Sequence, residues 1–145
     1  MKILIVDDDP GTVNALRVGL SSAGYKLVGA ENASQAIEII ETLAESAEPV
    51  EFMITDMKMP GMDGLELIKS VQKARPDILT ILITAYGSND IRKEVAGLDG
   101  CGYLEKPFTP VILEMLLKSI DDIGKKTSLK GNKIRCCKLL TGEVM

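Results

Sequence analysis

Five short apolar runs recur along the chain, at Lys2 to Val6, Tyr25 to Ala30, Phe52 to Thr55, Ile78 to Thr84 and Cys101 to Leu104, and each is followed by a segment with apolar residues at helical spacing. Runs this short, bounded by turn residues, suit strands, whereas apolar residues three and four apart suit amphipathic helices. Strands alternating with helices through short loops close right-handed crossovers, and the sheet they build is parallel with a helix layer on each face. An α/β doubly wound fold of five strands and five helices is therefore expected. Ile78 to Thr84 is the most continuous β-branched stretch, the pattern of a strand buried on both faces, and is expected at the centre of the sheet.

The helices are punctuated by capping residues. Asp9-Pro10 offers an N-cap and a proline at the first helical position for a helix carrying Val13, Leu16 and Leu20, which Gly24 stops. Asn32 can cap a second helix with Ile37, Ile40 and Leu43, ended by Glu45 to Pro49. Asp63 with Glu66 has the form of a capping box before Leu67, Ile68 and Val71, and Pro76 closes that helix. Ile91, Val95 and Leu98 mark a weaker fourth helix, and Thr109-Pro110 opens a fifth that runs to about Ile123. The fifth carries Val111, Ile112, Leu113, Met115, Leu116, Leu117, Ile120 and Ile123, more than one buried stripe requires. A partner or homodimer face, or a cover formed by the tail, accounts for the surplus.

A chain of 145 residues holds one domain with a substantial core, and aromatics at 3% mean that Ile, Leu, Val, Met and Ala build it. The formal charge of −4 is uneven: after Ile123, six Lys and Arg face only Glu143, a net +5, so residues 1–123 carry −9. An acidic body argues against nucleic-acid binding by the main domain. The division is thus a domain at 1–123 and a basic tail or linker at 124–145. Three cysteines, Cys101, Cys136 and Cys137, in no CxxC spacing fit a reducing compartment. No apolar stretch approaches the length of a membrane span and the apolar start runs straight into aspartates, so the expected location is cytoplasmic. Histidine is absent, which excludes histidine acid–base catalysis, histidine metal sites and a phosphohistidine role. Carboxylates must carry the chemistry.

In doubly wound sheets the functional site lies beyond the carboxyl ends of the strands. Asp7 and Asp8 end the first run, Asp56 the third and Thr84 the fourth, and Lys106 follows the fifth, so these segments converge on one edge. Three crowded carboxylates repel one another unless a cation sits between them, and an all-oxygen set suits Mg²⁺. Asp56 can then act as the nucleophile toward a phosphoryl donor, with Lys106 neutralising phosphoryl oxygens. Asp9 and Asp63 are read as helix caps and are kept out of the site.

Four segments, ILIVDDD (Ile3 to Asp9), TDMKMPGMDG (Thr55 to Gly64), ITAYG (Ile83 to Gly87) and GYLEKPF (Gly102 to Phe108), in this order and at strand ends, resemble the receiver domain of bacterial two-component response regulators, single-domain type, over residues 1 to about 123. The resemblance implies a flavodoxin-like sheet of order 2-1-3-4-5 and a switch that takes a phosphoryl group on Asp56 from a histidine kinase or phosphotransfer protein. It implies Asp7, Asp8, Asp56 and the Lys58 backbone carbonyl as Mg²⁺ residues, with Asp8 ligating directly and Asp7 through water. Lys106, the Thr84 hydroxyl and the Ala85 backbone would bind the phosphoryl group, and Lys106-Pro107 would be cis. Thr84 and Tyr103 would form the switch, remodelling the surface of the fourth helix, fifth strand and fifth helix toward a downstream protein partner. Lys58 and Tyr86 hold positions that in this family flank the path of attacking water, and both are bulky here, which implies a phosphoryl group shielded from hydrolysis.

Three other readings are weighed against this one. Residues 1–123 can be the receiver portion of a larger regulator with a DNA-binding or ATPase output module. An aspartyl-phosphate hydrolase would usually carry a DxD arrangement after the first strand, whereas here Asp7 is followed by Asp8 and Asp9 starts a helix. A degenerate binding module would not keep the acidic set intact. The chain is thus expected to be a signalling switch, catalysing only its own phosphorylation and dephosphorylation.

Overall fold

A computed structural model describes residues 2–22, 24–59, 61–85, 89–98, 101–106 and 111–119. The strands are β1 (Lys2–Val6), β2 (Lys26–Ala30), β3 (Val50–Asp56), β4 (Leu79–Thr84) and β5 (Cys101–Glu105). The helices are α1 (Pro10–Ser21), α2 (Ala33–Leu43), α3 (Gly64–Ala74), α4 (Asn89–Ala96) and α5 (111–119). All pairings are parallel and the strand order is β2-β1-β3-β4-β5. β4 is an interior strand, hydrogen-bonded to β3 and β5, but the middle of the five is β3, which corrects the expectation that Ile78 to Thr84 would be central. Burial on both faces requires only a neighbour on each side, so a continuous apolar run cannot distinguish the second-from-edge position from the middle.

Alternation along the strands divides the core in two. Ile3, Ile5, Phe52, Ile54, Ile81, Ile83 and Leu104 pack with Val13, Leu16 and Leu20 of α1 and Leu113, Leu116 and Leu117 of α5. Leu4, Val6, Met53, Leu82, Cys101 and Tyr103 face α2, α3 and α4. On α5 only one stripe is covered: Val111, Ile112 and Met115 are exposed, at 64%, 41% and 60%. Ile120 and Ile123 lie outside the described residues.

Each of the first three helices starts on its expected cap. Asp9 Oδ1 accepts from the Gly11 N–H at 3.0 Å, Asn32 Oδ1 from Gln35 at 2.9 Å and Asp63 Oδ1 from Glu66 at 2.8 Å. Such a cap satisfies a donor that the first helical turn leaves unpaired. Asp63→Ala is expected to lower stability by about 1 kcal/mol, read as a reduced urea midpoint at unchanged slope. α1 ends with a turn through Gly24 at φ +94°, a backbone region that costs glycine little.

Candidate functional site

Because every strand is parallel, all five carboxyl ends lie on one edge, and β1 and β3 are adjacent there. Asp7 follows the last residue of β1 and its N–H donates to the Ala30 carbonyl at 3.0 Å, continuing the β1–β2 ladder by one step. Asp56 ends β3, and the next N–H, of Met57, donates to the Ile83 carbonyl of β4 at 2.8 Å. These ladder bonds fix the two carboxylates side by side. Asp8 is exposed above them, and one oxygen from each of Asp7, Asp8 and Asp56 lies within 4.8 Å of the others.

The charge at this edge is only partly balanced. Lys106 Nζ lies 3.5 Å from Asp56 Oδ1 and 3.8 Å from Asp7 Oδ2. Asp7 is buried, and its burial pushes the carboxyl above the ordinary carboxylate range. The neighbouring Asp56 pushes the same way, while the Asp9 N–H donated to Asp7 Oδ1 at 2.9 Å opposes them. Three carboxylates against one ammonium leave a formal charge near −2 on an edge open to solvent at Asp8. A small divalent cation fits this donor set in charge and in hardness: all the side-chain donors are oxygen.

The remaining expected residues fall around the same edge. Thr84 ends β4, buried, and its carbonyl accepts from the Lys106 N–H at 2.9 Å, tying the strand end that carries the hydroxyl to the one that carries the ammonium. Ala85 follows it, exposed. Lys58 is exposed and, with Asp8, Asp63 and Thr84, lines an open cleft of ≈ 490 Å³. Asp9 spends its side chain on the α1 cap and on Thr12 Oγ1, which donates to it at 3.0 Å. Tyr86, assigned a tuning role, and Pro107, of the cis peptide, lie outside the described residues.

Tyr103 is 1% exposed and packs in the core beneath α4. Its hydroxyl donates to Glu105 Oε1 at 3.4 Å, and the Arg92 guanidinium carbon stands 5.3 Å from its ring centroid. Burial raises the phenol above its ordinary range, and the Glu105 charge adds to that. Sequence reading gave no role to Arg92 or Glu105, because one is a polar position on a helix and the other a residue inside a motif. It also missed Gly64. A Cβ on Gly64 would sit 2.1 Å from the Asp56 carbonyl oxygen, so the start of α3 rests directly on the peptide of the central carboxylate. The clue was present in TDMKMPGMDG, where a glycine follows the Asp63 cap directly at the first helical position, a place where turn chemistry has no need of one.

The fold and the acidic edge define a parallel α/β protein of the receiver type, and the comparisons place it. The family model of the response regulator receiver domain matches residues 3–118. The chain belongs to this family. It is 36% identical over 107 residues to sporulation initiation phosphotransferase F of Bacillus subtilis (strain 168), covering 74% of this chain and 82% of that protein. It is 33% identical over 120 residues to the transcriptional regulatory protein GlrR of Escherichia coli (strain K12), covering 83% of this chain but 25% of that protein. The chain thus spans about a quarter of the length of such regulators. Among solved structures, the response regulator protein TrrA of Thermotoga maritima, in complex with Mg(2+)-BeF, superposes with a TM-score of 0.70 at 29% identity, covering 82% of this chain and 97% of that one.

Proposed function

We propose that this receiver takes a phosphoryl group on Asp56 in the presence of Mg²⁺, and that the modification resets a protein-binding surface formed by α4, β5 and α5. The observation that carries the reading is the convergence of Asp7, Asp8 and Asp56 within 4.8 Å, with Lys106 Nζ 3.5 Å from the Asp56 carboxylate. Asp7, Asp8, Asp56 and the Lys58 carbonyl would hold the ion. When bound, it supplies positive charge that offsets the carboxylates and the phosphoryl oxygens.

In the transfer, an Asp56 carboxylate oxygen forms a bond to phosphorus as the bond to the donor's leaving group breaks, the electron pair departing with that group. The products are an acyl phosphate on Asp56 and the free leaving group, an imidazole from a phosphohistidine or acetate from acetyl phosphate. Lys106 would set its ammonium against the added negative charge, and the Thr84 hydroxyl and the Ala85 backbone would bind phosphoryl oxygens. The donor is a histidine kinase or phosphotransfer protein, and the output is a protein partner or a homodimer. The −9 charge of residues 1–123 opposes nucleic-acid binding by the domain itself. Among the described residues, no helix is long and apolar enough to cross a membrane.

The test is intact mass after incubation with acetyl phosphate. One added phosphoryl group is expected with Mg²⁺, and none in a metal-free control or in Asp56→Asn. No adduct on folded wild-type protein would overturn phosphorylation from a small donor. Lys58, exposed on the cleft with Asp8 and Thr84, would obstruct water approaching a phosphoryl group on Asp56. Lys58→Ala is accordingly expected to speed loss of the phosphoryl group, measured as decay of the adduct mass after the donor is removed.

A second reading has its own support. The match to only a quarter of GlrR favours residues 1–123 as the receiver portion of a larger regulator, with 124–145 as tail or linker toward an output module. The reading frame of the gene distinguishes the two.

A further inference from the structure

The three side chains around the β5 end form a contact set that phosphoryl chemistry by itself does not need. Tyr103 and Glu105 are two residues apart on β5 and so face the same side, beneath α4. Arg92 of α4 closes the set from above: its guanidinium is ion-paired with Glu105 Oε1, and the same group lies 5.3 Å from the Tyr103 ring centroid. Glu105 Oε1 also accepts from the Tyr103 hydroxyl at 3.4 Å. One carboxylate therefore anchors both the phenol and the cation that covers its ring. Guanidinium over an aromatic face is attractive through the ring quadrupole, and the planar fork lets Arg92 pair with a carboxylate while it stacks.

The set is also wired to the acidic edge. Glu105 is the register partner of Thr84 across β4 and β5. The next residue, Lys106, donates its N–H to the Thr84 carbonyl and sets its ammonium against Asp56. Tyr103 itself is at 1% exposure, turned in under α4.

We propose that Arg92 and Glu105 act as positioning residues that clasp the Tyr103 ring inward, so that this receiver is biased toward the inward state. The inference deepens the reading of Tyr103 as part of a phosphorylation switch and rests on it for its consequence. If the inward ring accompanies the phosphorylated state, a clasp that favours the ring position must favour the phosphoryl-bearing form by the factor by which it raises the inward fraction, since coupling between two sites is reciprocal.

The experiment uses the full chain labelled with 3-fluorotyrosine and read by fluorine NMR, with the Tyr103 resonance assigned through Tyr103→Phe and the Tyr25 resonance as the report that the fold is intact. In the unphosphorylated protein, Arg92→Gln and Glu105→Gln are expected to raise the outward-to-inward ratio of Tyr103 about two- to fivefold, with a larger response to solvent. Arg92→Lys, which keeps a cation over the ring, should recover part of the change. Titration with beryllofluoride and Mg²⁺ should then show weaker binding in Arg92→Gln by the factor by which its inward fraction falls. A Tyr103 signal unmoved in both neutral variants would overturn the clasp and leave packing under α4 as what holds the ring. A Tyr103 shift in the unliganded variants, with no response of any chain to beryllofluoride, would keep the clasp and overturn the phosphoryl switch instead.

Discussion

Gly64→Ala is expected to destabilise the protein by about 3 kcal/mol and to slow phosphorylation of Asp56 at least tenfold, although residue 64 has no chemistry of its own. A Cβ at this position would lie 2.1 Å from the Asp56 carbonyl oxygen, 2.9 Å from its carbonyl carbon and 3.0 Å from Leu82 Cδ1. The first two are backbone atoms, so no rotamer change relieves them. The Asp56 oxygen is held from another side by the Thr55 hydroxyl, which donates to it at 3.0 Å, and the Gly64 N–H is itself committed to the Met57 carbonyl at 2.8 Å. Relief therefore means pushing α3 off the end of β3, which loosens the packing beside Asp56, or moving the Asp56 peptide, which displaces the carboxylate from Lys106. Gly97→Ala is the matched control. There a Cβ would meet its nearest neighbour, the Glu94 carbonyl oxygen, at an ordinary 3.5 Å, so the change should stay within about 0.5 kcal/mol. Urea unfolding and the rate of mass gain with acetyl phosphate measure both effects. Equal stability of the two alanine variants would show that α3 can shift away from β3 without cost.

Gly64 also shows where sequence reading stops. The element order was legible because each strand is a short apolar run and each of the first three helices has a local cap, signals that need no knowledge of tertiary contacts. Asp7, Asp8, Asp56 and Lys106 were legible for a related reason: in a parallel sheet, residues at successive strand ends must meet on one edge. What was not legible depends on how elements settle against one another. The close approach at Gly64 exists only after α3 packs back over β3. Exposed Glu51 interrupts the apolar run of β3, so the middle strand advertised itself less clearly than Ile78 to Thr84, and the centre was misjudged. Arg92 read as one more polar position on the solvent side of a helix, and its place over Tyr103 depends on the packing of α4 against β5.

Lys106→Met should move two properties of the site in opposite directions, which separates an electrostatic role from a structural one. Methionine keeps most of the apolar stem and removes the charge. Without magnesium, the Lys106 ammonium is the cation set 3.5 Å from Asp56 and 3.8 Å from Asp7, and it competes with any divalent ion for those oxygens. Its removal should therefore tighten Mg²⁺ binding on the order of tenfold, the Coulomb scale for a unit charge a few ångströms from a dication near a solvated surface. The same removal should slow phosphorylation by acetyl phosphate roughly a hundredfold, since a phosphoryl group on Asp56 adds negative charge where the ammonium no longer stands. Calorimetric Mg²⁺ titration and the rate of mass gain at saturating Mg²⁺ give the two numbers. A variant that bound Mg²⁺ more weakly and also reacted more slowly would mean that Lys106 shapes the edge by holding the β5 end in place. Tighter binding with slower transfer is the outcome that a free-standing charge at Nζ requires, because the ion and the ammonium are rivals for the carboxylates before transfer and partners around the phosphoryl oxygens after it.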